Sequence, residues 1–332
     1  LSLSLVGSEM CIRDSFSIAP MMDCSDRHSR FFLRLFSDKI LLYTEMVTAA
    51  AIVHGDRDRL LGFSEQEHPL AVQLGGSDPE TLYRAAQICH DYGYDEIDLN
   101  CGCPSDRVQS GSFGACLMKQ PSLVSECVAA LKSASPLPVT VMHRTGVDQQ
   151  EDYDIFVGFA AAQIEAGAEA LIVDARNAWL QGLSPKQNRE IPPLKYDWVY
   201  RLKQDFPDQQ IIVNGGIRTL DACLEHLQRV DGVMLGREPY SNPYLLHDVD
   251  QVVFGRQQCA TPGRSEKLHR FYPYIEKQLE SGIPLMRVVR HLLGLFNGQP
   301  NARRWRRYLS ENACRKDAGM DVLYRAEQLL AG

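Results

Sequence analysis

The segment DLNCGCPSDRVQSGSFGACLM, residues 98–118, places two cysteines two positions apart, then a proline and a glycine-rich loop, directly behind an apolar run. A loop of that kind behind a strand reads as a lid carrying a thiol. Cys103 is the candidate general acid, because thiols titrate close enough to neutrality to donate a proton. Zinc at Cys101 and Cys103 would need a second cysteine pair or a histidine at ligand spacing, and neither is present, so no metal is expected. Packing in the core is the other reading of both thiols, and composition leaves it open.

Further polar or sulfur-bearing residues close short apolar runs: Met21, Met22, Glu45, Gln73, Asn100, Arg144, Arg176, Asn214 and Arg237. A single Gln or Asn at a strand end is ordinarily a turn or ladder cap, but such residues at successive strand ends favour a shared ligand. The runs NGGI (214–217) and LGR (235–237) are the most explicit. They put glycines and an arginine where barrel enzymes hold a phosphate. Glycine lets backbone N–H groups approach an anion, Arg237 adds a bidentate cation, and a helix N-terminus is expected behind it. Two tight turns with a surface arginine are the plainer alternative.

The elements that must position these residues are eight short apolar runs: SIAP (17–20), LLYTEM (41–46), LAVQLGG (70–76), EIDLN (96–100), VTVMHR (139–144), ALIVDAR (170–176), IIVNGG (211–216) and GVMLGR (232–237). Each is nearly continuous in hydrophobicity, as parallel strands buried on both faces require. Helical stretches lie between them, for example 78–93, with Asp78 as cap, Pro79 in the first turn and Gly93 as terminator. Eight such units predict an α/β fold, a (β/α)8 TIM barrel, over 16–255. A doubly wound sheet is the rival, but no G-x-G-x-x-G opens a helix after the first strand.

Beyond Phe254 a linker (255–266) leads into predicted helices around 266–281, 284–297, 301–313 and 317–331, a small all-α domain over 256–332. The net charge of −7 hides an asymmetry. Residues 1–255 hold 21 Lys and Arg against 35 Asp and Glu, while 256–332 hold 14 against 7. A basic module on an acidic body is the footprint of a protein that grips a polyanion with one part. Arg303, Arg304, Arg306 and Arg307 around Trp305 predict a cationic face with an aromatic able to stack on a base.

No apolar run is long enough for a membrane helix, and the scattered cysteines suit reduced thiols in a cytosol, so a soluble, cytoplasmic chain is expected. Residues 1–15 lack the basic and apolar regions of a signal peptide and are expected to be a non-native or disordered extension.

The blocks APMMDCSDRHSR (19–30), LLYTEMVTAAAI (41–52), VQLGGSDP (72–79), NCGCPSDRVQSGSFGACLM (100–118), LSPKQNREIPPL (183–194) and DGVMLGR (231–237) resemble those of tRNA-dihydrouridine synthases, in particular the bacterial synthase A subfamily, over about residues 16–330. The resemblance implies FMN in the barrel mouth, reduction by NADPH, hydride transfer to C6 of a uracil in the tRNA D-loop at positions 20 and 20a, and protonation of C5 by Cys103. It further implies that Pro20, Met21, Met22, Gln73, Asn214, Gly215, Gly216, Gly236 and Arg237 hold FMN, and that Asn100 faces the uridine. Lys186, Arg189, Arg303 and Arg306 would orient the tRNA. A monomer is expected.

Two positions depart from that family's pattern. Lysine is usual where VTVMHR has Met142, and histidine where LIVDAR has Asp174. A thioether supplies no charge to favour a reduced, anionic flavin, and a carboxylate repels a phosphate or a reduced ring, so weaker flavin binding and slower reduction are expected. Two rivals stand beside the tRNA reading: a barrel flavin oxidoreductase acting on a small pyrimidine, similar to dihydroorotate dehydrogenases, and a tRNA-binding protein with impaired flavin chemistry.

Overall fold

The computed structural model describes residues 15–256 and 262–331. Residues 1–14 of the expected extension and 257–261 of the expected linker lie outside them. Among the described residues nine strands are present: β1 Phe16–Ile18, β2 Leu42–Tyr43, β3 Val47–Thr48, β4 Leu70–Gly75, β5 Glu96–Cys101, β6 Val139–Arg144, β7 Ala170–Asp174, β8 Gln210–Asn214 and β9 Gly232–Leu235. Every predicted run overlaps one. The additional strand, β3, is a two-residue pair alongside the end of β4, with Val47 opposite Leu74 and Thr48 opposite Gly75.

All the pairings are parallel, and the order is β1-β9-β8-β7-β6-β5-β4-β2. Ser17 bridges Leu41, and the Ile18 N–H donates to the Leu41 carbonyl at 3.0 Å, which joins the two ends of that order. The sheet is therefore a barrel, as expected, rather than a doubly wound sheet. Period-2 alternation divides the strand residues. Leu41, Tyr43, Ala71, Ala170, Ile172, Ile212 and Met234 form one cluster with Ala19, against which Met142 packs partly buried. Their neighbours Ile97, Leu99, Val141, Leu171, Val173, Ile211 and Val213 are buried on the opposite, helix-covered face. The crossover helix Pro79–Asp91 forms as its caps predict, with the Thr81 N–H donating to Asp78 at 2.9 Å and Gly93 at φ +88°.

The amino-terminal end of the barrel is fastened by a device used three times. Asp95, Glu169 and Asp231 each stand one residue before a strand, and each makes two bonds to a single residue at the start of the preceding strand in the barrel, the first in β4 and β6 and the second in β8. Their N–H groups donate to the carbonyls of Leu70, Val139 and Ile211 at 3.0, 2.9 and 3.0 Å. Their carboxylates accept the N–H of the same three residues at 2.6, 2.7 and 2.8 Å. His68, Lys132 and Lys203 supply the facing nitrogens.

The chain divides into two compact units. The first holds residues up to Met22 and Ile40–Gly236; the second holds Asp23–Lys39 together with Arg237–Gly332. This differs from the expected boundary at 255/256, because the excursion between β1 and β2 belongs with the later helices. Within the second unit, Phe31 stacks on Tyr274 with centroids 4.0 Å apart, Phe32 meets Phe271 at 5.2 Å, and Lys267 donates to the Leu35 carbonyl at 2.9 Å. Asp26 caps helix Arg27–Arg34 by accepting from His28 and Ser29, and it also receives Arg290 at 2.6 Å and His291 at 3.0 Å.

The later helices are Arg264–Glu280, Leu285–Val289, Ala302–Asn312 and Met320–Ala331, so the four predicted helices form, the first shifted toward the N-terminus and the other three with shorter bounds. In Ala302–Asn312 the buried residues Ala302, Trp305 and Leu309 share one face. The expectation that Trp305 stacks on a base is overturned: its ring is fully buried against Phe296, and its Nε1 donates to the Leu292 carbonyl. Spacing of three and four residues places Trp305 inward and its arginine neighbours outward. No helix of the described residues is long and apolar enough to cross a membrane.

Candidate active site at the carboxyl end of the barrel

On β5, alternation turns Glu96, Asp98 and Asn100 to one face and Ile97, Leu99 and Cys101 to the other. Cys101 is fully buried, and burial pushes its thiol well up from the ordinary range; Cys103 lies beyond the strand and is half-buried. The two cysteines therefore differ in kind, and only Cys103 can meet a ligand. Among the described residues no group of three or more His, Cys, Asp or Glu is placed to hold a metal ion.

The backbone carrying Cys103 is held from several elements. Asn100 Oδ1 accepts the N–H groups of Gly102 and Cys103 at 3.1 and 2.9 Å. The Ala115 N–H donates to the Cys103 carbonyl at 2.9 Å, where a side chain on Gly114, at φ +75°, would collide. Gln109 Nε2 joins the Pro104 carbonyl to the Leu180 carbonyl, each at 2.8 Å, and so ties the loop to the one that follows β7. Arg144 Nε donates to the Gly102 carbonyl at 3.0 Å. The Cys103 thiol itself points to Ser105 Oγ, 3.6 Å away.

Behind Asn100 runs a buried chain of polar groups. Asn100 Nδ2 donates to Gln73 Oε1 at 3.0 Å, and Gln73 Nε2 donates to Asp98 Oδ2 at 2.7 Å, with Met142 Sδ 3.5 Å away. Burial pushes the Asp98 carboxyl up to about 7, against the hydrogen bonds from Gln73, Thr140 and the Met142 backbone. The Thr140 hydroxyl lies 3.1 Å from Asp98 and 2.8 Å from Glu96, which also accepts from Tyr43 at 2.9 Å. One hydroxyl hydrogen cannot serve both carboxylates fully, and a proton on Asp98 donated to Thr140 satisfies all three groups.

Of the other predicted ligand residues, Asn214 turns its Nδ2 to the Met234 carbonyl at 3.1 Å, the ladder-capping use of an amide. Gly215 and Gly216 follow with φ +112° and +72°, which only glycine adopts readily. A Cβ on Gly215 would lie 2.8 Å from Asp174 Oδ1. Met21 Sδ approaches Gly236, while Pro20 is half-buried and Met22 is 56% exposed. Arg237 begins helix Arg237–Ser241 in the second unit. Arg176 donates to the Pro192 carbonyl. Lys186, within helix Pro185–Asn188, and Arg189, directly after it, are exposed, and the loop is braced by Asn188 bonding Trp179 through both amide ends. Arg303 is exposed and Arg306 half-buried on helix Ala302–Asn312. Hence Gln73, Asn100 and the Cys103 backbone form one bonded group with Met142 beside Gln73.

What sequence reasoning missed is the partner of Asp174. Arg144 Nη1 lies 3.3 Å from Asp174 Oδ2, and both side chains are nearly buried. Neither that nitrogen nor Asp174 Oδ1 has an aligned hydrogen bond among the described residues. The signal was present in the register, which sets Arg144 opposite Asp174 on adjacent strands.

A parallel eight-unit barrel with a braced thiol loop, buried amides and left-handed glycine turns at its carboxyl end has the architecture of a ligand-binding barrel enzyme. Residues 17–330 match the dihydrouridine synthase family. The chain is 55% identical over 312 residues to the tRNA-dihydrouridine(20/20a) synthase of Xanthomonas campestris pv. campestris, covering 94% of this chain and 92% of that protein. The synthase of the same name from Shewanella oneidensis is 54% identical, with 95% and 93% covered, and that from Synechocystis sp. is 53% identical, with 94% and 93% covered. The chain belongs to the dihydrouridine synthase family.

Proposed function

We propose that this protein reduces uridine to 5,6-dihydrouridine in the D-loop of tRNA, at positions 20 and 20a, with FMN as cofactor and NADPH as reductant. The observation that carries the reading is the braced thiol of Cys103, bonded through Asn100 to Gln73 at the carboxyl end of the barrel. A small-pyrimidine oxidoreductase accounts less well for the excess of Lys and Arg in residues 256–332.

The residues present fit an FMN. Gly215 and Gly216 allow close backbone approach to an anion, and Gly236 leaves similar room beside Met21. Asp174 Oδ1, buried and lacking a partner among the described residues, suits a hydroxyl donor such as the ribityl chain carries. Its charge is offset by Arg144, which softens the expected repulsion. Pro20, Met21, Met22, Gln73, Asn214 and Arg237 complete the proposed set. An FMN held by these residues would supply the hydride for C6 of the uracil, with NADPH as its reductant.

Cys103 donates its proton to C5, so uridine, NADPH and a proton give dihydrouridine and NADP+. Asn100 orients the uracil while holding the thiol loop. The base must leave its stack to reach the barrel, so contacts to the RNA backbone carry much of the binding. Lys186 and Arg189 in the first unit and Arg303 and Arg306 in the second are the proposed contacts, and a cytoplasmic monomer suits the substrate.

Mass-spectrometric mapping of dihydrouridine in unmodified tRNA incubated with the protein, FMN and NADPH tests the reading; absence of product at the D-loop uridines overturns it. The missing cation at Met142 is expected to leave the purified protein with FMN below one per chain. Met142→Lys should then tighten FMN about tenfold, read by quenching of flavin fluorescence.

A further inference from the structure

We propose that Asp174 is a positioning residue for the thiol: its carboxylate fixes the Arg144 guanidinium, which in turn holds the Gly102 carbonyl and sets the direction of the Cys103 side chain. This rests on the reading that Cys103 is the proton donor.

The geometry is a relay across three adjacent strands. Asp174 ends β7, Arg144 ends β6, and Gly102 follows the end of β5. Arg144 is 6% exposed and bonds Gly102 through Nε, while Nη1 faces Asp174 at 3.3 Å. The Cys103 N–H is already held by Asn100, so the peptide joining Gly102 to Cys103 is pinned at both its polar ends. Without its counter-charge the guanidinium would be a buried cation with, among the described residues, only the Gly102 carbonyl to satisfy it, and it would turn toward solvent. Rotating the Gly102 carbonyl rotates the bond that leads to the Cys103 Cα. Gly215 permits the arrangement, since any larger residue there would displace the carboxylate.

Stability is a weak explanation for the pair, because apolar replacements of a buried ion pair are often as stable as the pair itself. Positional control of a reacting atom is sensitive to displacements of an ångström.

The test uses the full chain as purified. Alkylation of Cys103 by iodoacetamide, followed by peptide mass mapping across pH 6–10, is compared for the unaltered protein, Asp174→Asn, Arg144→Lys and the apolar pair Arg144→Met with Asp174→Leu. The last covers the case in which an unpaired buried charge unfolds the single variants. The expected result is a change of about tenfold in Cys103 alkylation rate with a displaced pH profile, the same in the single variants and the pair, while Tm of the pair stays within a few degrees. Unchanged alkylation in a folded variant overturns the proposal. If alkylation shifts as expected while Cys103→Ala still reduces tRNA, the relay stands and the catalytic reading of Cys103 falls instead.

Discussion

The two ends of the barrel solve opposite problems with the same residue types. At the amino end, Asp95, Glu169 and Asp231 each close a two-bond ring with a neighbouring strand and face a side-chain nitrogen, so every carboxylate is committed to the fold. At the carboxyl end, Asp98 lies under the amide chain with its acidity weakened by burial, and Asp174 keeps one oxygen without a partner among the described residues. Satisfied polar groups contribute stability; incompletely satisfied ones contribute a place for a ligand. Chemistry and stability should therefore be separable by choosing the end.

Cys103→Ala is the largest expected effect at the carboxyl end. Loss of a general acid should lower dihydrouridine formation by roughly 10²–10⁴-fold, with Tm almost unchanged, as read by mass spectrometry and thermal unfolding. A comparable activity loss from an amino-end carboxylate would break the contrast.

Asp98→Asn should act on stability with a definite sign. The folded protein holds the Asp98 proton up to about 7, against an ordinary value of 3.8, so it binds that proton more tightly than the unfolded chain. This contribution is complete at low pH and is lost as pH rises from about 4 through about 7. Asparagine mimics the protonated acid and should remove that loss, stabilising the protein at pH 8 by at most about 4 kcal/mol and leaving it nearly neutral at pH 5. Denaturant titrations at the two pH values measure it; equal effects at both would show that Asp98 is ionised in the folded protein.

Asp231→Ala is the smallest effect. Removing one carboxylate latch leaves the Ile211 N–H short of an acceptor and should cost about 1–2 kcal/mol in unfolding free energy, with uridine reduction unchanged under saturating FMN. A fall in catalytic rate without loss of stability would mean that the amino end reaches the chemistry.

The barrel was legible in the sequence because strands buried on both faces leave unbroken apolar runs, and the helix over 79–91 because its cap and proline are local signals. Gln73 and Asn100 were legible as strand ends, but not the bonds between them, since a side-chain amide has no preferred partner until the register is known. The latches escaped notice for the same reason: an acid before a strand looks like an ordinary turn residue. Trp305 was misplaced because its cationic neighbours were weighed above the helical spacing of Ala302, Trp305 and Leu309. The grouping of Asp23–Lys39 with the C-terminal helices was invisible because the aromatic residues it meets lie more than 200 positions away, as Phe32 and Phe271 do.

That last grouping has a consequence for synthesis of the chain. The segment that includes Phe32 and Phe36 leaves the ribosome roughly 200 residues before the stretch that will cover it, a wait of roughly 10–40 s at ordinary elongation rates. Throughout that interval two aromatic rings that end up buried have no native cover from the later helices, and a nascent barrel can form only with this excursion left unfinished.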